Sequence, residues 1–99
     1  MYNITLNPTM GVITNALSPS SGKFLRVRYV TFNADTDMLD PVELYLGATK
    51  IFNTLCVRAG VMYGFNLGNA HIQGGVGNPL KVLLPVTAKI NLNVIYEEE

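Results

Sequence analysis

Apolar positions along this chain recur in short runs with a period of two, and no stretch carries the three-to-four spacing of an amphipathic helix. Val42, Leu44 and Leu46 alternate with Glu43 and Tyr45. Ile90, Leu92, Val94 and Tyr96 alternate with Asn91 and Asn93. Such alternation lays one face of a strand against a core and the other in water. Runs rich in Val, Ile, Leu, Tyr, Phe and Thr are separated by clusters of Gly, Pro, Asn and Asp, the spacing of an all-β sandwich or barrel. The pattern predicts strands at 2–6, 11–17, 23–33, 42–46, 50–57, 61–67, 69–73, 80–84 and 89–96. The longest, 23–33, is expected to be central. Gly47-Ala48 forms the two-residue connection of a hairpin, Ala59-Gly60 makes a second turn, and Glu97-Glu98-Glu99 is expected to fray.

The longer connections at 33–42 and 74–79 favour a two-sheet antiparallel sandwich with crossings, a jelly roll, over an up-and-down barrel. An immunoglobulin-like sandwich is the alternative. Its Cys, Trp and Cys pattern is absent, because the chain has no Trp and one Cys. Ninety-nine residues make a single domain, 1–99. The lone Cys56 precludes an internal disulfide framework and fits synthesis in a reducing compartment. Nothing at the N-terminus reads as a signal peptide, and no run of about 18 apolar residues could span a bilayer.

Charge changes the picture. Seven basic and seven acidic residues cancel, so there is no bulk attraction for nucleic acid. Charged residues are 14% of the chain, against about 25% in an average soluble domain. Asn, Thr, Ser and Gly fill the gap. A small domain with so little charge has little to hold it apart from neighbours, and much of its surface is expected to be covered by partners.

Candidate chemistry is sparse. "GNAHIQGGVGNPL", residues 68–80, holds the only histidine and four of the nine glycines. It lacks the Gly-Lys-Ser/Thr of a Walker loop and the glycine spacing of a dinucleotide fingerprint, and Pro79 removes one backbone N–H. It reads instead as a short strand, a glycine turn and the start of the next strand. His71 would need a hydroxyl or thiol neighbour to act as a base, and is read as a surface or interface residue. Cys56 falls in an apolar run and is expected to be buried or half-buried. "DTDMLD" places Asp35, Asp37 and Asp40 within six residues. They are either a solvated loop or a weak Ca²⁺ site completed from elsewhere, since the EF-hand pattern fails. "KFLRVRYV" puts Arg26 and Arg28 on one strand face with Phe24 and Val30, too few cations for a nucleic-acid groove; pairing with acids across the sheet or with a partner is expected. "NIT" at Asn3 matches a glycosylation sequon by chance. No acid–base pair, metal site or nucleophile assembles, so the chain is read as non-enzymatic and without a cofactor.

The second half carries a further pattern: "VELYLGATKI", then "LCVRAGVMYGFNLG", a Gly-rich "IQGGVGNPLKVLL", and a closing "KINLNVIYEE". Over residues 42–97 it resembles small bacteriophage virion proteins of β-sandwich or jelly-roll type, capsid decoration (cement) proteins in particular. The resemblance implies a homotrimer on the capsid exterior, assembled in the host cytoplasm. It would bind the major capsid protein and hold the shell against packaged DNA, with no membrane and no catalytic residues. A tail, fibre or baseplate adhesion module is the alternative. Interface candidates are Tyr2 and Ile4, in a segment Met1–Leu6 able to act as an arm, and His71 and Gln73.

Overall fold

The computed structural model describes residues 1–99. Its elements are β1 (Tyr2–Leu6), β2 (Thr14–Leu17), β3 (Leu25–Ala34), β4 (Glu43–Leu46), β5 (Thr49–Asn53), β6 (Tyr63–Asn66), β7 (Ile72–Gln73), β8 (Leu80–Leu83) and β9 (Ile90–Glu98). They form two antiparallel sheets packed face to face. One runs β1-β9-β3-β6, with β7 also on β3; the other runs β2-β8-β4-β5. The pairs nest: β1 with β9, β2 with β8, β3 with β6, β4 with β5. Contacts β3–β9 and β4–β8 then close each sheet. The connections at 35–42 and 74–79 both cross from one sheet to the other, as their length suggests.

The alternating residues account for the core. Leu25, Val27, Val30, Phe32 and Ala34 of β3 face Leu44, Leu46, Leu80 and Val82 of the other sheet, with Ile90, Leu92 and Val94 of β9 beside them. Burying each Val, Leu, Ile or Phe among them contributes roughly 1.5–3 kcal/mol. Phe32 is fully buried and meets Phe52 edge-on at 6.0 Å and Tyr63 in a stacked geometry at 5.7 Å.

Four features depart from the simple alternation. The β3–β9 register shifts between Val27 and Tyr29, a bulge that adds one residue and reverses the side on which later side chains emerge. Val30 is therefore in the core, not on the face of Arg26 and Arg28. Next, β5 stops at Asn53. Buried Thr54 donates its N–H to the Val42 carbonyl (3.0 Å) and accepts the Val42 N–H on Oγ1 (3.3 Å). The chain is pinned there and again at Val57, which bridges Met38, so Leu55 and Cys56 turn outward. Cys56 is exposed, not half-buried.

Third, the acidic tail does not fray. β9 continues through Glu98, and Glu99 exchanges both backbone hydrogen bonds with Phe24 (3.0 and 2.7 Å). Arg26 holds Glu99 at 2.9 Å, and Glu98 accepts the Ser20 N–H. Finally, Met1–Leu6 is no loose arm. All five β1 residues pair with β9, and Tyr2, Ile4 and Leu6 pack against the core.

Candidate functional site

Four connections line up across one end of the sandwich. The β1–β2 loop (7–13) is tied to the β8–β9 loop (84–89) by the Gly11 N–H to Leu84 O bond (3.0 Å) and the Met10 N–H to Thr87 Oγ1 bond (2.9 Å). The β8–β9 loop joins the β3–β4 loop (35–42) through Asp35. Its N–H donates to Lys89 O, and its Oδ1 accepts the Lys89 N–H, both at 3.1 Å. The β3–β4 loop joins the β5–β6 loop (54–62) through the Met38–Val57 bridge, bonded at 2.8 and 2.9 Å. These backbone bonds hold the loops together alongside the buried anchors Met38, Val42, Val57 and Leu84.

This end carries most of the exposed apolar surface. Of the nine large hydrophobic side chains exposed to solvent, Met10, Val12, Ile13, Leu39, Leu55, Val61 and Met62 lie on these loops; only Met1 and Val76 lie elsewhere. Local geometry explains the two most prominent. Met38 points inward at its bridge to Val57, so the next residue, Leu39, points outward as strand alternation demands. Leu55 and Cys56 turn outward together because the chain is pinned on either side at buried Thr54 and Val57. Leu39 is 91% exposed and Leu55 82%. Between the two lips lies a cleft of about 130 Å³ lined by Asp37, Met38, Leu39, Cys56, Val57 and Arg58. Small-molecule sites occupy roughly 300–1,000 Å³, so this cleft suits a single side chain.

A second surface adjoins that end. On the outer face of the β1-β9-β3-β6 sheet, cross-strand pairing makes two rows: Asn3, Asn93 and Thr31, then Thr5, Asn91 and Asn33. Each alternates with a core residue and points away from the interior. Thr5 Oγ1 donates to Asn91 Oδ1 (2.6 Å), and Asn93 Nδ2 donates to Thr31 Oγ1 (3.4 Å). All six side chains are uncharged hydrogen-bonding groups.

The aspartates of "DTDMLD" do not converge. Asp35 is engaged by Thr36 Oγ1 and Lys89 N–H. Asp37 accepts the Ala59 N–H (2.7 Å) and lies 3.6 Å from Arg58. Asp40 is exposed. No three His, Cys, Asp or Glu side chains form a group able to hold a metal ion.

His71 sits at the far end of the same sheet. β6 and β7 both pair with β3, and residues 67–71 loop out between them at the level of the Arg28 bulge, where Leu67 N–H meets Arg28 O (2.8 Å). Arg26 Nε donates to His71 Nε2 at 3.1 Å, and Nη2 lies 3.1 Å from Nδ1. The same guanidinium reaches Glu99 (2.9 Å) and Glu97 (4.0 Å). The ring thus supports an arginine already paired with acids across the sheet; no hydroxyl or thiol bonds to it. Gln73, opposite Arg26, is exposed. Tyr2 meets Tyr96 edge-on at 6.1 Å and donates to Ala16 O (3.3 Å).

Two ionisable clusters lie outside both surfaces. On the other sheet, Glu43 accepts the Tyr45 hydroxyl and Lys50 Nζ (3.1 Å). The Tyr45 hydroxyl, and then Lys50, hold Glu43 below its ordinary 4.5. The bond to Glu43 in turn pushes Tyr45 above 10.0 and Lys50 above 10.5. The Ser20 N–H and hydroxyl hold Glu98 below 4.5. Lowered carboxylates stabilise the fold above their ordinary value, and that contribution is lost as pH falls through the lowered one. The raised Tyr45 and Lys50 act below 10.0 and 10.5, and their share is lost as pH rises through their raised values. Tm is therefore expected to be flat around neutrality and to fall at both extremes. Replacing Glu43 and Glu98 by Gln should shallow the acid limb in scanning calorimetry.

Compared with known proteins, the chain matches no family model, no curated relative and no solved structure.

Proposed function

We propose that this is a structural protein of a bacteriophage virion: a decoration protein that binds the major capsid protein on the capsid exterior and stabilises the shell, acting as a homotrimer. The observation that carries the reading is the uncharged patch of the outer face beside the loop end, with Asn3, Asn93 and Thr31 in one row and Thr5, Asn91 and Asn33 in the next, while Arg26, Glu97 and Glu99 lie at the far end of the same sheet. Amides and hydroxyls bond directly or through water at little cost. A charged face would have to desolvate ions to bind. Repetition over a shell turns modest single contacts into firm attachment by avidity. The rigid sandwich holds the two rows in a fixed geometry, as such a plate requires. We also read the nested strand order as that of a jelly roll, in which a long folded hairpin is wound across two sheets.

The test is co-sedimentation with expanded heads that lack the protein. Folded protein is expected to pellet with the heads, and an Asn93→Lys, Thr31→Lys variant to stay in the supernatant. Folded wild-type protein that leaves heads unbound overturns the reading. Binding to tails in place of heads would assign the protein to a tail, fibre or baseplate.

A further inference from the structure

We propose that the apolar loop end is the surface through which copies of this chain pack against one another, with Leu39 of one copy seated in the cleft of the next. This gives the oligomer of the proposed function its interface, but it is a property of the free protein. Failure to bind heads leaves it standing, and its own failure leaves head binding standing.

Shape is the first argument. A side chain 91% exposed stands directly beside a cleft of about 130 Å³ that suits one side chain. A knob and a hole on the same chain let each copy's knob fill the next copy's hole, the heterologous contact that closes a ring of identical subunits. The floor of the cleft is apolar Met38 and Val57, and Leu55 projects from its second lip at 82% exposure. Large apolar groups clustered in this way mark the centre of interfaces between subunits of one assembly.

Charge is the second argument. The β3–β4 lip carries Asp35, Asp37 and Asp40, while the β5–β6 lip carries Arg58, whose side chain is 77% exposed. Arg58 is held only loosely by Asp37, at 3.6 Å, and Asp40 makes no ion pair. When Leu39 enters a neighbour's cleft, its adjacent Asp40 arrives beside that neighbour's Arg58. The acidic lip also argues against a membrane: three aspartates against Arg58 and Lys89 would be repelled by anionic headgroups.

The experiment uses the full chain. Sedimentation equilibrium over micromolar to millimolar concentration is run on wild type, on a Leu39→Asp, Leu55→Asp variant, and on Val76→Asp as a control at the opposite end. All three sites are highly exposed, so the fold should persist, and circular dichroism checks this. Wild type and Val76→Asp are expected to self-associate, and the double variant to do so at least about 100-fold more weakly, as for the loss of central anchors. Cys56, exposed on the same lip, supplies an independent reading. Its labelling by a maleimide should slow about 10-fold in the associated protein and recover in the double variant. A wild-type monomer throughout the range, association that survives both substitutions, or flotation of the protein with phosphatidylserine vesicles would each overturn the proposal.

Discussion

Gly64→Ala is expected to cost about 3 kcal/mol or more, a large share of the stability of a domain this size. A Cβ at this position would lie 1.9 Å from the Val30 carbonyl oxygen and 2.8 Å from Thr31 Cα, at a φ of +143° that side chains rarely adopt. Neither neighbour is a flexible side-chain tip; both are backbone of the central strand β3. The β3–β6 pairs Val30–Phe65 and Thr31–Gly64 must separate to admit the methyl group. Tyr63 and Phe65 would then lose their packing against the core. Gly60→Ala is the matched control: its φ is +78°, but open space surrounds the position. It should cost only about 1–2 kcal/mol, the strain of a left-handed residue. Urea denaturation of the two variants against wild type measures both.

Phe32→Ala follows, at about 3–5 kcal/mol. Phe32 is fully buried and ties the two sheets together, since Tyr63 lies in its own sheet and Phe52 in the opposite one. Removing the ring loses its transfer energy and opens a cavity that the paired backbones on either side cannot collapse to fill. Against a total of about 5–15 kcal/mol, the variant should be partly unfolded at 37 °C. Truncating exposed Met10 instead should shift Tm by little, because surface substitutions cost within about 0.5 kcal/mol.

The elements whose residues decide their own orientation were legible in the sequence. Val42, Leu44 and Leu46 are buried, Glu43 and Tyr45 face out, and Gly47-Ala48 turns the chain. Ile90, Leu92 and Val94 likewise point inward between Asn91 and Asn93. What could not be read depended on partners distant in sequence. The Arg28 bulge is set by the register of β9, the end of β5 by Thr54 reaching Val42, and the order of the acidic tail by Phe24 and Arg26. The exposed apolar loop end is hidden in the sequence for the same reason. Leu39 sits in a segment notable for its aspartates, and Leu55 in a run that alternates like a strand. One signal was present: Met38-Leu39 is an adjacent apolar pair in a polar loop, so one member had to face solvent. The two Asn/Thr rows were visible only as composition, because cross-strand register alone brings Asn3, Asn93 and Thr31 together.

The nesting of strands also dictates when this protein becomes itself. β1 has no partner other than β9, and β2 none other than β8. Non-local pairings of this kind slow folding into the millisecond-to-second range. During synthesis at roughly 5–20 residues per second, Tyr2 to Leu6 must wait for β9 to leave the ribosome. Each Asn/Thr row takes one residue from β1, one from β9 and one from β3, so neither row exists before that moment. On the proposed function, a chain without β9 has no rows to attach with, so adhesion would be withheld until β9 has paired.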